Sequence, residues 1–301
     1  MADSIPVLVN VGGGTAKSHG PALAARVEQA FASSDRQAKV ELLAGGELAR
    51  AVGALADHPM VVVGGGDGTL GGAADALLQA GGRAALAILP LGTHNHLARD
   101  LGIPADLDEA ARIAVGDHRT RIDVARVNDR IFLNNASLGL YPALVQRREA
   151  VRRARHLGPK WLADLPAAWA VLRRARHHRL RLMIDGVRTP LRTPMLFVGN
   201  NRYIIEPGRL GQRASLQDGL LSVFALKHSS RAGLIRLALR TLIGRTDPER
   251  DLAAVVETAA FEVWLHRTGI EIALDGEVAR LDGPLRFSVL PGALTVVSPS
   301  P

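Results

Sequence analysis

Short apolar runs alternate with helix-like stretches through the first third of the chain. Ile5–Val9 is an unbroken apolar run of strand length, and about Pro21 to Phe31 reads as a helix. Met60–Val63 is a second such strand, running into Gly64-Gly65-Gly66-Asp67-Gly68-Thr69 and a helix through Leu78. Ala84–Leu89 is a third, ending at Pro90-Leu91-Gly92-Thr93, after which Asp106 and Asp108 offer a cap and a first-turn acid for a helix to about Val115. Strand, glycine loop and helix in repetition predict a parallel sheet with helices on both faces. Such sheets bind ligands at the carboxyl ends of their strands, where all three glycine-bearing loops fall.

After about Asp123 the period changes. Ile131–Leu133, Leu180–Ile184, Met195–Val198, Leu220–Leu226, Phe261–Leu265, Ile270–Leu274 and Leu285–Leu290 read as short strands. Turn signals lie among them at Asp185-Gly186, Asp218-Gly219, Asp275-Gly276 and Asp282-Gly283. The pattern predicts a second, mainly antiparallel domain with helices near 143–176 and 231–243. The expected division is 1–123 and 124–301, the last strand being a candidate to return to the first domain.

Composition narrows the class. Apolar residues at 47% and charged residues at 22% belong to a folded chain. The absence of cysteine excludes disulfides, thiolate metal sites and a cysteine nucleophile, and suits a reducing compartment. The opening Met1-Ala2-Asp3-Ser4 lacks the basic start of a secretory signal, and no run of 18 apolar residues occurs. A cytoplasmic protein that meets a membrane from outside, at its inner face, is the expectation.

The net charge of +8 favours a polyanionic partner, and its excess is concentrated between Arg147 and Arg181, where Glu149 and Asp164 are the only acids. Trp161 and Trp169 interleave with these bases. At helical spacing this reads either as a membrane-surface helix or as a helix packed on its own domain with solvated arginines. Nucleic acid is not expected, because aromatic residues are 4% of the chain and no binding module is recognisable. An exposed strand edge in the second domain could pair two copies into a homodimer.

The glycine run at residues 64–68 lets backbone approach a phosphate chain without Cβ interference, and the helix start behind it favours anionic oxygens. A carboxylate at Asp67 would repel phosphate unless it works through magnesium or takes a proton from an incoming hydroxyl; the plainer alternative is a glycine turn with a solvent-facing Asp. No serine occupies a nucleophile elbow, and no convincing dinucleotide fingerprint is present.

The core Gly65-Gly66-Asp67-Gly68-Thr69 resembles one shared by diacylglycerol kinases, sphingosine and ceramide kinases, NAD kinases and, more distantly, phosphofructokinases. Pro90-Leu91-Gly92-Thr93-His94-Asn95-His96-Leu97-Ala98-Arg99 is similar to a segment of the diacylglycerol kinase group that NAD kinases lack. Asn10 with the Gly12–Thr15 loop is similar to that family's first phosphate loop, with Val11 where a proline is usual. Asp218-Gly219-Leu220 and Asp275-Gly276-Glu277 resemble two further family segments.

The resemblance implies a Rossmann-like α/β domain of NAD kinase and phosphofructokinase type, followed by an antiparallel β-sandwich. It implies transfer of the γ-phosphate of ATP, with Mg2+, to the hydroxyl of a lipid such as diacylglycerol. The nucleotide would rest on Asn10, Gly12, Gly13, Gly14, Thr15, Gly65, Gly66, Gly68, Thr69, Thr93 and Asn95. Asp275 would deprotonate the lipid hydroxyl, assisted by Glu277, with Asp67 in the catalytic set. A structural metal would take Asp218, Leu220 and the position of Ser215.

The chain departs from the family at His96, where an Asp is usual, and at Ser215, where some members place an acid. As a cation His96 could contact phosphate; a structural hydrogen-bonding role is the alternative. Rival readings are an NAD kinase-like enzyme with a soluble acceptor and a non-catalytic nucleotide-binding regulator.

Overall fold

The computed structural model describes residues 4–12, 16–139, 178–204, 212–227, 233, 252–265 and 268–300. The chain forms two compact units, one of residues 1–124 with 290–301 and the other of residues 125–289. The helices expected over 143–176 and 231–243 lie outside the described residues, apart from the helical Gly233.

The first unit runs β1 (Ile5–Asn10), α1 (Ala16–Ala32), β2 (Ala38–Leu43), α2 (Gly45–Ala54), β3 (Met60–Gly65), α3 (Asp67–Gln79), β4 (Ala85–Pro90), α4 (His96–Asp100) and α5 (Leu107–Ala114). Its strands are parallel in the order β2-β1-β3-β4. Helices pack in pairs, α1 with α5 and α2 with α3. A strand covered on both faces needs an unbroken apolar sequence, and Val61, Val62 and Val63 are accordingly fully buried in β3. Burying each such side chain contributes about 1.5–3 kcal/mol.

Between β1 and β3 the hydrophobic pattern hides two elements. β2 is the edge strand, and its AKVELL sequence is half-exposed, so it lacks the apolar run of its neighbours. α2 opens on two glycines, which ordinarily argue against a helix, yet Leu48 and Val52 on one face are buried. α5 begins as the acids require: the Asp106 side chain accepts from the backbone N–H of Asp108 and Glu109. Arg26 of α1 and Asp108 make a bidentate pair that joins α1 to α5.

β5 (Arg119–Val127) leads into the second unit, with β6 (Arg130–Phe132), β7 (Asn135–Gly139), β8 (His178–Ile184), β9 (Val187–Thr193), β10 (Met195–Asn200), β11 (Leu221–Leu226), β12 (Leu252–Thr258), β13 (Ala260–Trp264), β14 (Ile270–Leu274), β15 (Glu277–Leu281) and β16 (Leu285–Val297). The end of β16 lies in the first unit, where Val296 pairs in parallel with Leu86 of β4. One antiparallel sheet has the order β12-β11-β10-β7-β14-β15. The start of β16, β13, β8 and β9 pair antiparallel beside one another, as do β5 and β6.

The inward residues of these strands share a core in the second unit, among them Leu138, Leu182, Val198, Val223, Ile272 and Phe287. Phe261 and Phe287 stack with centroids 4.8 Å apart. Two of the Asp-Gly signals are hairpin turns with both central residues at positive φ. These are Asp185 (48°) and Gly186 (79°) between β8 and β9, and Asp275 (47°) and Gly276 (86°) between β14 and β15.

Candidate functional site

In the first unit the loops after β1, β3 and β4 are tied together by side chains from each. Asn10 at the end of β1 donates through Nδ2 to Thr69 Oγ1 at 2.7 Å and accepts the Gly12 N–H through Oδ1 at 2.8 Å. A Cβ on Gly65 would lie 2.6–2.7 Å from the Thr69 side chain, and one on Gly92 would run into the Gly66 backbone. Gly65 therefore lets α3 turn back close to the end of β3, and Gly92 lets the loops after β3 and β4 close on each other. Asn95, at φ 49°, accepts the Gly92 N–H at 2.9 Å and donates to the carbonyls of Pro90 and Gly92 at 3.0 Å. Thr93 is left exposed at the tip of that turn.

Asp67 joins the two loops. Its Oδ2 accepts the His96 N–H and its Oδ1 the Leu97 N–H, both at 3.1 Å, so the carboxylate caps the start of α4. The sequence offered Asp67 as a magnesium or proton-accepting group; the cap is an engagement it did not reveal. His96 is half-buried, and its ring Nδ1 lies 2.9 Å from Arg99 Nη2. Burial holds its pKa below the ordinary histidine value, and the Arg99 and His94 charges push the same way against Asp67. A neutral ring can accept from Arg99 through Nδ1, which is the hydrogen bond that the structural alternative for His96 calls for.

The loops could hold a nucleotide's phosphates. The N–H groups of Asp67, Gly68 and Thr69 precede the first intrahelical bond of α3, from Leu70 N to Gly66 O, and carry the positive end of its dipole. Gly13, Gly14 and Thr15 lie outside the described residues. Among the described residues no three His, Asp or Glu side chains cluster as a metal site. A magnesium ion here would depend on phosphate oxygens and water for most of its ligands, as that ion commonly does.

In the second unit the candidate base has a different setting. The Asp275 carboxylate accepts three consecutive backbone N–H groups, Leu133 at 2.7 Å, Asn134 at 2.8 Å and Asn135 at 3.0 Å. The Asp275 N–H returns a bond to the Asn135 carbonyl at 2.9 Å. Burial pushes the carboxyl up to about 6, against the three N–H bonds and the Arg213 charge, which lower it. Glu277, exposed at the start of β15, is outside this network.

The 133–135 segment is itself held. Arg213, 9% exposed, donates to the Leu133 carbonyl at 2.6 Å and to Asn134 Oδ1 at 2.9 Å. Asn200 Nδ2 donates to the same Leu133 carbonyl at 2.9 Å, and the Tyr203 hydroxyl to the Asn134 carbonyl at 3.0 Å. None of these three supporting residues was visible in the sequence. The one available signal was an Asn134-Asn135 pair between apolar runs, which by itself reads as a turn.

The residues expected to hold a structural metal are engaged locally. Ser215 Oγ accepts the Gln217 N–H at 3.0 Å, Asp218 Oδ2 accepts the Arg202 N–H at 3.1 Å, and the Leu220 carbonyl accepts the Asn201 N–H at 2.9 Å. Asn201 Oδ1 in turn accepts the Asp218 N–H at 2.9 Å. Among the described residues the set offers a hard divalent cation one carboxylate, with Oδ2 of Asp218 already accepting an N–H. The basic segment over 147–177, with Trp161 and Trp169, lies outside the described residues.

Residues 4–127 match the family described as diacylglycerol kinase catalytic domain, and residues 143–298 match the YegS C-terminal NAD kinase beta sandwich-like domain. A protein of Pseudomonas aeruginosa PAO1 named "Probable lipid kinase YegS-like" is 34% identical over 248 residues, 81% of this chain and 78% of its own length. A Staphylococcus aureus protein named diacylglycerol kinase is 24% identical over 73% of this chain and 69% of its own. The crystal structure of a diacylglycerol kinase from Bacillus anthracis has the same fold, with a TM-score of 0.66 at 21% identity, over 98% of this chain and 97% of that one.

Proposed function

The chain belongs to the lipid kinases of the diacylglycerol kinase catalytic-domain family, and from that premise we propose that it transfers the γ-phosphate of Mg-ATP to the hydroxyl of a membrane lipid, with diacylglycerol as the first candidate. The observation that carries the reading is the setting of Asp275: a carboxylate with a pKa near 6, fixed by three backbone N–H groups. At neutral pH it is ionised, yet it is a stronger base than an ordinary aspartate, which is what deprotonating a hydroxyl requires.

In the proposed reaction the lipid oxygen forms a bond to the γ-phosphorus as the bond to the ADP oxygen breaks, and the hydroxyl proton passes to Asp275. The α3 N-terminus and the backbone at Gly65 and Gly66 would hold phosphate oxygens, while Asn95 and Asp67 keep the two loops in register. Magnesium, bound mainly through the phosphates, would offset the charge gathering on the transferred group. Glu277 is exposed at the start of β15, where it would meet solvent or substrate; no described contact ties it to Asp275.

Membrane contact and a location on the inner membrane face belong to the same proposal. No described helix is long and apolar enough to cross a membrane.

The test is transfer of labelled γ-phosphate from Mg-ATP into the organic-extractable fraction of a lipid panel, with NAD as a soluble competitor. Label in a lipid band is the expected result. Label on NAD alone would move the function to a soluble acceptor, and nucleotide binding with no transfer to any acceptor would leave a regulator.

A further inference from the structure

One face of the second unit combines charge and an exposed aromatic ring in a way that phosphoryl transfer does not use. In β8, Leu180 and Leu182 point into the core, so Arg179, Arg181 and Met183 point the other way. The register places Arg179 beside Arg192, Arg181 beside Pro190 and Met183 beside Arg188 of β9. On the other side it places Met183 beside Glu262 and Arg181 beside Trp264 of β13, and Glu262 beside Arg286 of β16. Arg126 of β5, between buried Ala125 and Val127, is exposed as well.

The result is a sheet face whose outward residues include Arg126, Arg179, Arg181, Arg188, Arg192 and Arg286, all exposed, with Glu262 as the acid among them. Glu262 is occupied: it accepts from Arg286 Nε at 3.2 Å and from Trp264 Nε1 at 2.9 Å. Trp264 is 45% exposed, one of two large hydrophobic residues so exposed among those described; the other, Val187 at 64%, follows the β8–β9 turn.

Protection of an edge strand accounts for part of this. Pro190, Arg188 and Arg192 on the outermost strand β9 discourage pairing with another chain. It does not account for Arg179 and Arg181, which stand on an interior strand, nor for an exposed indole fixed by its N–H. Tryptophan with its ring exposed and its N–H hydrogen-bonded suits a boundary that is apolar on one side and wet on the other, and arginines around it suit anionic headgroups.

We propose that this outer face of the β16-β13-β8-β9 sheet docks the protein on an anionic phospholipid bilayer, with Trp264 entering the headgroup region and the arginines pairing with lipid phosphates. The lipid-kinase reading supports the choice of a bilayer over other polyanions. Among the described residues the face carries a single exposed indole and not the successive aromatic platforms that single-stranded nucleic acid requires.

The experiment is co-sedimentation of the full chain with vesicles of phosphatidylcholine, with and without 30% phosphatidylglycerol, at low and high salt. Wild type is expected to pellet with the anionic vesicles and to be released by salt. Arg188→Glu with Arg192→Glu should weaken that binding by roughly 30-fold or more, from about a tenfold factor per 1.4 kcal/mol and about 1 kcal/mol for each basic residue near the surface. Trp264→Ala should weaken it on both vesicle types.

Thermal midpoints within a degree or two of wild type would show that the variants fold, and for a variant that does not, Arg126→Glu is the substitute. Undiminished pelleting of the double variant would overturn the proposal, as would equal wild-type binding to both vesicle types. Retention of wild type on duplex DNA without vesicle binding would reassign the face to nucleic acid. Anionic vesicle binding by a wild-type protein that phosphorylates nothing would keep the docking face and discard the kinase.

Discussion

Two aspartates, each followed by glycine, hold backbone N–H groups of a distant loop, and they do so in different surroundings. Asp67, in the first unit, spans two N–H groups at the start of a five-residue helix, both at 3.1 Å. Asp275, in the second, gathers three at 2.7–3.0 Å, over a segment that Arg213, Asn200 and Tyr203 fix from its other side. The first caps a short helix from a distant loop, in place of the N-cap residue Asn95. The second is over-determined, and its burial lifts the carboxyl to about 6. A short Asp-Gly signal therefore says little about chemistry; the support behind the carboxylate separates a cap from a candidate base.

The largest effect should come from Asp275→Asn. Loss of the base is expected to lower kcat by about 10³-fold while the KM for ATP changes little. The amide also turns an Nδ2 donor toward a backbone N–H, so a urea titration should accompany the kinetics. Transfer at the wild-type rate would remove Asp275 from the mechanism.

Arg213→Met tests the support. It leaves the Leu133 carbonyl with the Asn200 bond and strips Asn134 Oδ1 of its Arg213 donor, at a cost of about 2–4 kcal/mol measured by urea unfolding. The Arg213 charge lowers the Asp275 pKa, so its removal should also raise that pKa. The acid limb of the rate profile would then move to higher pH, a shift that general destabilisation does not produce. A stable Arg213→Met protein with an unmoved limb would separate the two residues.

For wild type, kcat should fall as pH drops through about 6, because a protonated Asp275 cannot accept the hydroxyl proton. Stability runs the other way for this group. Its folded pKa lies above the unfolded value near 3.9, so the folded state binds the extra proton between about 4 and 6. The stabilising contribution is full below pH 4 and is lost as pH rises through 6. Asp275→Asn should remove that slope from the thermal midpoint. Wild type and Asp275→Asn with the same pH dependence over this window would contradict the raised value.

Most of the first unit was legible because a buried parallel strand has to be apolar throughout, and IPVLV, MVVV and ALAIL are each followed by a glycine-bearing loop. β2 and α2 were not, since an edge strand and a helix opening on Gly45-Gly46 relax the rules that make strands and helices readable. In the second unit Asp185-Gly186 and Asp275-Gly276 announced their turns through the positive φ that both positions adopt. The network around Asp275 stayed hidden because its parts are far apart in sequence: Leu133 and Asn134 meet Arg213 some 80 positions on and Asp275 more than 140 on. Motif order pointed to Asp275, but no local pattern could say that three N–H groups and a buried arginine stand behind it.

The smallest expected effect is the most discriminating for Asp67. In Asp67→Asn one oxygen still accepts an N–H, while the amide nitrogen faces the other, so the cap on α4 is half lost. Such losses cost about 1 kcal/mol. α4 has five residues, and the first of these N–H groups belongs to His96, whose ring also contacts Arg99. The cost should therefore appear as a slightly lower thermal midpoint, with the affinity for ATP weakened a few-fold through looser packing between Gly66 and Gly92. If Asp67 is instead required for magnesium or for proton transfer, the same variant would keep its midpoint and its ATP affinity in the absence of magnesium, yet lose transfer by orders of magnitude. Measuring midpoint, magnesium-free ATP binding and kcat on this one variant separates a loop-joining carboxylate from a reacting one, and so decides whether Asp67 and Asp275 differ in degree or in kind.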